Sequence, residues 1–306
     1  MKTVVTGHTG LLGSEILNLK KDAIGFNSSQ SNLLENDFYN SLPSTAETVI
    51  HCAAKVGGVK ANTEFVSDFF EENMRMNSNV MRACKKRGIK LVSILSTCIY
   101  PDKDYVTYPL TEDQLHNGPP HQSNFGYAYA KRMIDVQTRA YRQQHGCNFI
   151  TAIPNNLYGL NDNYDLQSGH VIPSLIRKFH EAKISNSKKV IIWGTGSPLR
   201  EFTFARDAAR IILWLSENYD GEKPVNIGNP EQISIKRLAE MIGEKTGFKG
   251  DLVFDSEKPD GQFEKPSSNE YLRSLGWSGD YTNLNTGLEE TILFFQTRYP
   301  NLRGLI

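Results

Sequence analysis

The sequence predicts an α/β fold with a doubly wound parallel sheet and a smaller, interleaved C-terminal lobe, because three observations agree. Short β-branched runs alternate with stretches of helical periodicity through the first half of the chain. Three glycines follow the first run and open the first helix. After Pro154 the alternation loosens, yet strand-like and helix-like segments continue to the C-terminus.

In chain order, Lys2–Thr6 reads as a strand and Leu11–Lys20 as a helix. Ala23–Phe26 and Thr48–Ala53 are the second and third strands. Ser67–Arg87 is a long helix in which Phe70, Met74, Asn77, Met81 and Cys84 recur at three and four. Lys90–Leu95 is the fourth strand, Tyr127–His145 a second long helix and Asn148–Ile153 the fifth strand. Beyond Pro154, Val190–Trp193 and Val225–Ile227 look like strands. Val171–Ala182, Asp207–Asn218, Ser234–Thr246 and Leu284–Phe295 look helical, and Asp251–Asn269 reads as a strand followed by a long loop. Residues 1–158 are therefore expected to form a dinucleotide-binding domain, completed by segments near 200–228. Residues 159–306 form mainly a substrate lobe.

Composition narrows the partners. Lys+Arg and Asp+Glu both number 34 in 306 residues, so no global basic excess favours nucleic acid or an anionic membrane. No apolar run is long enough to span a bilayer, and the N-terminus runs straight into a strand with no cleavage signal. Cys52, Cys84, Cys98 and Cys147 are scattered without disulfide or metal-ligand spacing, which fits a reducing, cytoplasmic setting and no metal.

Gly7, Gly10 and Gly13 lie in Thr6-Gly-His-Thr-Gly-Leu-Leu-Gly13, directly between strand and helix. Gly7 permits the turn, Gly10 lets a pyrophosphate approach the backbone, and Gly13 lets helix and strand pack closely. His8, Thr9, Leu11 and Leu12 complete the phosphate loop at a helix N-terminus. No acid ends the second strand. Asn27, Ser28 and Ser29, with Gln30, offer hydroxyls and amides instead, which favours NADP(H) over NAD. Ala53, Ala54, Ile94, Leu95 and Ser96, then Pro154, Asn155, Asn156 and Leu157, end later strands on the same sheet edge and are expected to border the cofactor.

Tyr127 and Lys131 are four apart on a helix and so share a face. An ammonium beside a phenol favours the phenolate and is expected to lower its pKa. Tyr129 is the rival phenol, but it faces elsewhere and reads as packing. Ser96 ends the fourth strand, where its hydroxyl can bond a substrate carbonyl oxygen. Cys98 follows by two, so both point the same way if the strand persists. Taken alone, Cys98 reads as an inert core thiol, His170 as a helix-start histidine, and Arg200-Glu201 as a surface ion pair.

Further motifs narrow this. Ala54-Lys-Val-Gly-Gly58, Ser96-Thr-Cys-Ile-Tyr-Pro101, Asn117-Gly-Pro-Pro120, Phe125-Gly-Tyr-Ala-Tyr-Ala-Lys-Arg132 and Pro154-Asn-Asn-Leu-Tyr-Gly159 run along the chain. Gly169-His-Val-Ile-Pro173, Trp193-Gly-Thr-Gly196, Arg200-Glu-Phe202 and the Lys258-Pro-Asp-Gly-Gln-Phe263 loop follow them. Together they resemble the GDP-L-fucose synthase family of extended short-chain dehydrogenase/reductases, nearer its animal-type than its bacterial sequences. The resemblance implies a Rossmann-type sheet and an NADP(H)-dependent epimerase/reductase. Its substrate would be GDP-4-keto-6-deoxy-D-mannose and its product GDP-L-fucose. It implies Ser96, Tyr127 and Lys131 as the reduction set, Cys98 as base and His170 as acid, with His170 also touching the cofactor. Lys178, Trp193, Arg200 and Asp260 would bind the GDP-sugar. A homodimer through the two long helices is implied as well. Another NAD(P)-dependent sugar-nucleotide epimerase or dehydratase, a GDP-colitose-type synthase, and a non-catalytic NADP-binding regulator are the alternatives.

Overall fold

The computed structural model describes residues 2–35, 38–258 and 260–305. Its first half runs β1 (Lys2–Thr6), α1 (Leu11–Leu19), β2 (Ile24–Phe26), α2 (Phe38–Ser41), β3 (Ala46–His51), α3 (Val59–Glu64), α4 (Val66–Arg87), β4 (Lys90–Ile94), α5 (Phe125–His145) and β5 (Phe149–Ile153). The second half runs β6 (Asn156–Tyr158), α6 (Val171–Ile184), β7 (Lys189–Trp193), β8 (Leu199–Phe204), α7 (Ala205–Asn218), β9 (Val225–Asn226), β10 (Gln232–Ser234), α8 (Ile235–Thr246), β11 (Asp251–Asp255), α9 (Glu270–Ser274) and α10 (Leu284–Arg298).

Six strands form one parallel sheet in the order β2-β1-β3-β4-β5-β9. Side chains alternate across a strand, and the sequence uses both faces. Val4, Val49, Leu91 and Phe149 point to one side, where Val80, Met81 and Cys84 of α4 and Ile134 of α5 cover them. Their neighbours Val5, Ile50, Val92 and Ile150 point to the other, under Ile16 of α1 and Ile211, Ile212 and Leu215 of α7. This is the doubly wound sheet that the β-branched runs predict. The strand order reverses between β1 and β3, which opens a crevice at their carboxyl ends.

The stripe on α4 differs from the predicted one. Its buried residues are Phe69, Asn73, Asn77, Asn79, Val80, Met81, Ala83 and Cys84, whereas Phe70 is 41% exposed. Asn73 is buried because its amide is spoken for. Its Oδ1 accepts the Lys55 N–H at 3.0 Å and its Nδ2 donates to the Phe69 carbonyl at 2.7 Å. That pair ties the loop after β3 to the helix.

A second core forms where α6, α8 and α10 pack on short strands, with Tyr158, Ile176, Phe179, Ile192, Leu238, Ile242 and Phe295 in contact. Here β6 pairs with β8 in parallel, β10 pairs with β8 antiparallel, and β11 joins β7. β6, β8 and β10 carry no clear sequence signal. β6 and β10 have three residues each, and β8 (LREFTF) places Glu201 and Thr203 inward where apolar residues would mark a strand.

Glu201 shows why. It is 3% exposed, and its carboxylate accepts from Ser267 N–H (2.8 Å), Ser267 O–H (2.6 Å) and Asn155 Nδ2 (3.1 Å). It is a buried lock between β8, the segment after β5 and the C-terminal loop, not half of a surface ion pair. We predict that Glu201→Ala, which orphans these donors, costs roughly 3 kcal/mol and lowers Tm by roughly 5 °C in a melting experiment. An unchanged Tm would show that the lock contributes nothing.

Candidate active site

A single cavity of about 1310 Å³ lies over the crevice between β1 and β3 and extends onto the second lobe. That exceeds the ~300–1,000 Å³ of a typical small-molecule pocket, enough for a dinucleotide and a second ligand together. Gly7, Thr9, Gly10, Leu11, Leu12 and Gly13 line its floor. Gly7 has φ +71°, and a Cβ there would sit 2.8 Å from Ala53 Cα. A Cβ on Gly13 would run into the Gly7 carbonyl oxygen. The loop is folded as a cradle that side chains would fill, and it hands the free N–H groups of α1 to the cavity.

At the end of β2, Asn27 and Ser28 line the cavity and no acid does. Ser29 does not. Its N–H and O–H both donate to Asn27 Oδ1, at 3.1 and 2.7 Å, so its hydroxyl is spent on the turn. His8 is likewise turned away, with its ring packed on Gly25 of β2. Ala53, Ala54, Ile94, Leu95, Pro154, Asn155, Asn156 and Leu157 all border the cavity. Asn155 offers only backbone there, since its side chain bonds Glu201, Asn229 and Thr203.

Ser96, Cys98, Tyr127, Lys131 and His170 line the same space. The strand that precedes Ser96 stops at Ile94, so alternation along a strand does not align Ser96 with Cys98. Instead Ser96 caps a 3-10 turn, Thr97–Ile99, and its Oγ accepts the Cys98 N–H at 3.5 Å. Burial raises the Cys98 thiol above its usual range, while the Ser96 bond and the charges of Lys265, Lys131 and Arg132 pull it back down.

Tyr127 sits in the first turn of α5, with its ring edge-on to Phe69. The expected lowering of its pKa is not what the structure shows. Burial, and secondarily Cys98, push the phenol well above its usual value. The Lys131 ammonium, 2% exposed, donates instead to the Ile94 carbonyl at 2.9 Å. Burial brings Lys131 down to about 8, against the pull of Cys98 and Cys52. Tyr129 lies outside the cavity lining, with the Arg132 guanidinium 5.3 Å from its ring centre.

His170 is the N-cap of α6, held by a tight turn in which Gly169 N–H donates to the Asp165 carbonyl at 2.8 Å. Its side chain is exposed on the cavity, where partial loss of water around the ring, then the charge of Arg303, lowers its pKa.

On the second lobe, Lys178 and Trp193 line the cavity. Trp193 is 60% exposed, a flat platform with the ammonium groups of Lys178 and Lys258 each 5.9 Å from its ring centre. Arg200 and Asp260 are not in the lining. Arg200 donates to the Leu199 and Phe263 carbonyls at 2.7 and 3.1 Å. Asp260 accepts Thr195 N–H at 2.7 Å and Thr195 O–H at 2.8 Å, which fixes the Gly194–Gly196 turn. Pro259 of the Lys258–Phe263 motif lies outside the described residues.

Sequence reasoning missed three groups here. His51 bonds Thr6 Oγ1 at 2.7 Å and Asn77 Oδ1 at 3.1 Å beneath the phosphate loop, and burial lowers it to about 3. Lys265 is crowded by protein beside Cys98 and brought down to about 8. Asp162 lines the cavity at 3% exposure with Oδ2 unpartnered, and burial raises it to about 7. None lies in a motif with a mechanism attached. Among the described residues no group of three or more His, Cys, Asp or Glu could hold a metal ion, and no helix is long and apolar enough to cross a membrane.

The fold and the cavity define a dinucleotide-binding enzyme of the short-chain dehydrogenase/reductase kind. The family model described as the NAD dependent epimerase/dehydratase family matches residues 3–228. A GDP-L-fucose synthase of Dictyostelium discoideum is 42% identical over 98% of this chain and 97% of its own length. A probable GDP-L-fucose synthase of Drosophila melanogaster is 36% identical over 99% of both. The Sinorhizobium fredii GDP-L-fucose synthase is 39% identical over 94% of this chain and 93% of its own, so animal and bacterial relatives differ little in identity. The crystal structure of a GDP-L-fucose synthetase from Naegleria fowleri bound to NADP superposes with a TM-score of 0.89 at 37% identity, over 99% of this chain and 94% of that one. This chain belongs to the GDP-L-fucose synthase family, within the NAD dependent epimerases/dehydratases.

Asp162 gives a prediction with a definite sign. Its folded pKa of about 7 exceeds the ordinary 3.8, so the native state holds this proton longer than the unfolded chain. Without ligands, its contribution is therefore lost progressively as pH rises from about 4 to 7 and is flat above. The loss is at most about 4 kcal/mol. Asp162→Asn should remove that slope, which urea midpoints at pH 5 and pH 8 would read. A variant that keeps the slope assigns the titration to another group.

Proposed function

We propose that the chain converts GDP-4-keto-6-deoxy-D-mannose to GDP-L-fucose, by epimerisation at C3 and C5 and NADPH-dependent reduction at C4. The observation that carries this reading is that Ser96, Cys98, Tyr127, Lys131 and His170 share one cavity with the phosphate loop. In this reading residues 1–158, completed by segments near 200–228, bind the cofactor, and residues 159–306 mainly bind the GDP-sugar.

The C4 ketone acidifies the protons on C3 and C5, so a base and an acid in the pocket suffice for inversion through an enolate. Cys98 takes the proton and His170 returns one to the opposite face. Ser96 and Tyr127 hold the C4 oxygen through these steps, where negative charge develops. NADPH supplies the hydride when bound. Tyr127 then gives its proton to the C4 oxygen, a task suited to a phenol that burial keeps protonated. Lys131 stabilises the resulting phenolate, and Lys178 and Trp193 receive the guanosine diphosphate end. The set fits the cofactor because Gly7 and Gly13 leave room that any side chain would fill, and Asn27 and Ser28 meet the 2′-phosphate without a repelling acid.

Four free cysteines suit the reducing cytoplasm, and Phe70 of α4 and Val136 of α5, 41% and 39% exposed, suit a homodimer through those helices. A related reading has support from a Campylobacter jejuni GDP-6-OMe-4-keto-L-xylo-heptose reductase. It superposes with TM-score 0.89 at 28% identity, over 97% of this chain and 98% of that one. Another GDP-linked keto sugar is therefore the runner-up substrate.

Product NMR with NADPH and each keto sugar, followed at 340 nm, separates the two. Tyr127→Phe should lower C4 reduction at least 100-fold while NADPH still binds, and retained turnover would remove Tyr127 from this role. Cys98→Ser should suppress deuterium exchange at C3 and C5 in D2O far more than it lowers Tm. The pH profile is a separate prediction. The working pair, thiolate and imidazolium, holds the same one proton as the resting pair, thiol and imidazole. With His170 lowered from 6.5, kcat/KM for exchange should fall on the acid side only below pH 6.5, and it should decline above about pH 8, where Lys131 and Lys265 lose the charges that favour the thiolate. A profile with no decline on that alkaline side would contradict it.

A further inference from the structure

The C-terminal segment beyond α10 belongs to the second lobe but reaches back to the phosphate loop. Its backbone is pinned on both sides of Arg303. Tyr164 N–H donates to the Arg303 carbonyl at 3.0 Å, and Arg177 Nη1 donates to the carbonyls of Tyr164 and Gly304 at 3.1 Å each. Gly304, at φ +87°, fits against Asn163 and Asp165 with no space for a Cβ. The backbone at Arg303 is therefore fixed, while its side chain is exposed. It lines the cavity, and a guanidinium nitrogen stands 3.7 Å from where a Cβ on Gly10 would be.

Gly10 is where a diphosphate approaches the backbone of α1. Helix N–H groups meet one side of that anion, but residues 3–19 contain no Lys or Arg to neutralise it. The other cations lining the cavity are engaged. Lys55 is held by Glu72 at 2.6 Å, Lys60 by Gln167 at 2.9 Å, Lys131 by the Ile94 carbonyl and Lys178 by the Ile191 carbonyl at 3.1 Å. Among the described residues the Arg303 guanidinium has no ion pair or hydrogen bond of its own, which leaves its planar fork of donors free for the oxygens of a doubly charged diphosphate. Its one acidic neighbour in the cavity, Asp162, feels its charge without pairing to it.

We propose that Arg303 is a cofactor-binding residue that clasps the dinucleotide diphosphate on the side facing away from α1. This rests on the reading of the cavity as an NADP(H) site, and it makes the C-terminal segment part of that site. A guanidinium matches the fork of two phosphate oxygens and is charged at every working pH.

Fluorescence and calorimetric titrations with NADPH, ADP-ribose and 2′-AMP test it. ADP-ribose keeps the diphosphate but lacks the 2′-phosphate, whereas 2′-AMP has the reverse. Arg303→Gln should weaken NADPH and ADP-ribose about tenfold or more, leave 2′-AMP within twofold, and flatten the salt dependence of ADP-ribose binding. Arg303→Lys, which keeps the charge and the packing stem, should fall between. Wild-type affinity for ADP-ribose in Arg303→Gln overturns the proposal. So does an equal loss for all three ligands, which would mean that residue 303 acts only by packing its segment. A wild-type protein that binds none of the three defeats the reading of the cavity itself, an outcome distinguishable from either.

Discussion

The site depends on the parting of two parallel strands. β1 and β3 run side by side to Thr6 and His51, and the chain then leaves in opposite directions. The separation is held by a buried polar chain in which Thr6 Oγ1, the His51 ring and Asn77 of α4 are linked. Burial keeps His51 neutral, so it joins two neutral partners and adds no charge beneath the phosphate loop. Above it, Gly7 presses on the Ala53 backbone so closely that no larger residue fits. The gap that remains is the cavity floor, and every other wall is hung from that floor.

Charge in the pocket is as constrained as its shape. Cys98 and Tyr127 are both acids raised by burial, and an anion at Cys98 raises Tyr127 further. Two adjacent anions would repel at low dielectric, so the pocket accommodates one at a time. The proposed chemistry has this order built in, since the thiolate is needed while the phenol is still an acid. Lys131 and Lys265, both brought down to about 8 by burial, are the cations that a thiolate would recruit. Desolvation that keeps all four groups reluctant to ionise alone also strengthens any pair that ionises together.

Much of this was legible in the chain. The phosphate loop, the missing acid after β2 and the Tyr127–Lys131 spacing are local signals, and local signals survive translation into structure. What failed were inferences that crossed an element boundary. Ser96 and Cys98 do meet, but through a capped turn, because the strand ends two residues earlier. The expected phenol–ammonium coupling was read from helical spacing alone, which could not show that the Ile94 carbonyl claims Lys131. Arg200 and Asp260 are a different case: they lie outside the cavity lining, with Arg200 Nη1 bonded to the Leu199 and Phe263 carbonyls and Asp260 to Thr195, contacts that only the tertiary structure reveals. Glu201 was misread as a surface ion pair because its partners, Asn155 and Ser267, are 46 and 66 residues away, and Asp162 and Arg303 gave no signal because what marks them is their place on the cavity wall.

Polar knots register the segments that carry the site. Asn155, Glu201 and Ser267 form one, at the seam between the segment after β5, β8 and the C-terminal loop. Asn226 forms another within the first lobe, holding β9 to its loops by donating from its backbone N–H to Glu112 at 2.8 Å and accepting from the Tyr100 hydroxyl at 2.8 Å. Such groups add modest net stability, since each bond replaces one to water. Their value here is registration. An apolar seam tolerates sliding with small loss, whereas a hydrogen-bond knot is either matched or orphaned. The cavity draws its walls from residues near 96, 127, 170 and 303, and a shift of the seam by one residue would separate proton donor from acceptor. Positional tolerance of proton transfer is well under an ångström, so the seam must be discrete, and polarity is what makes it so.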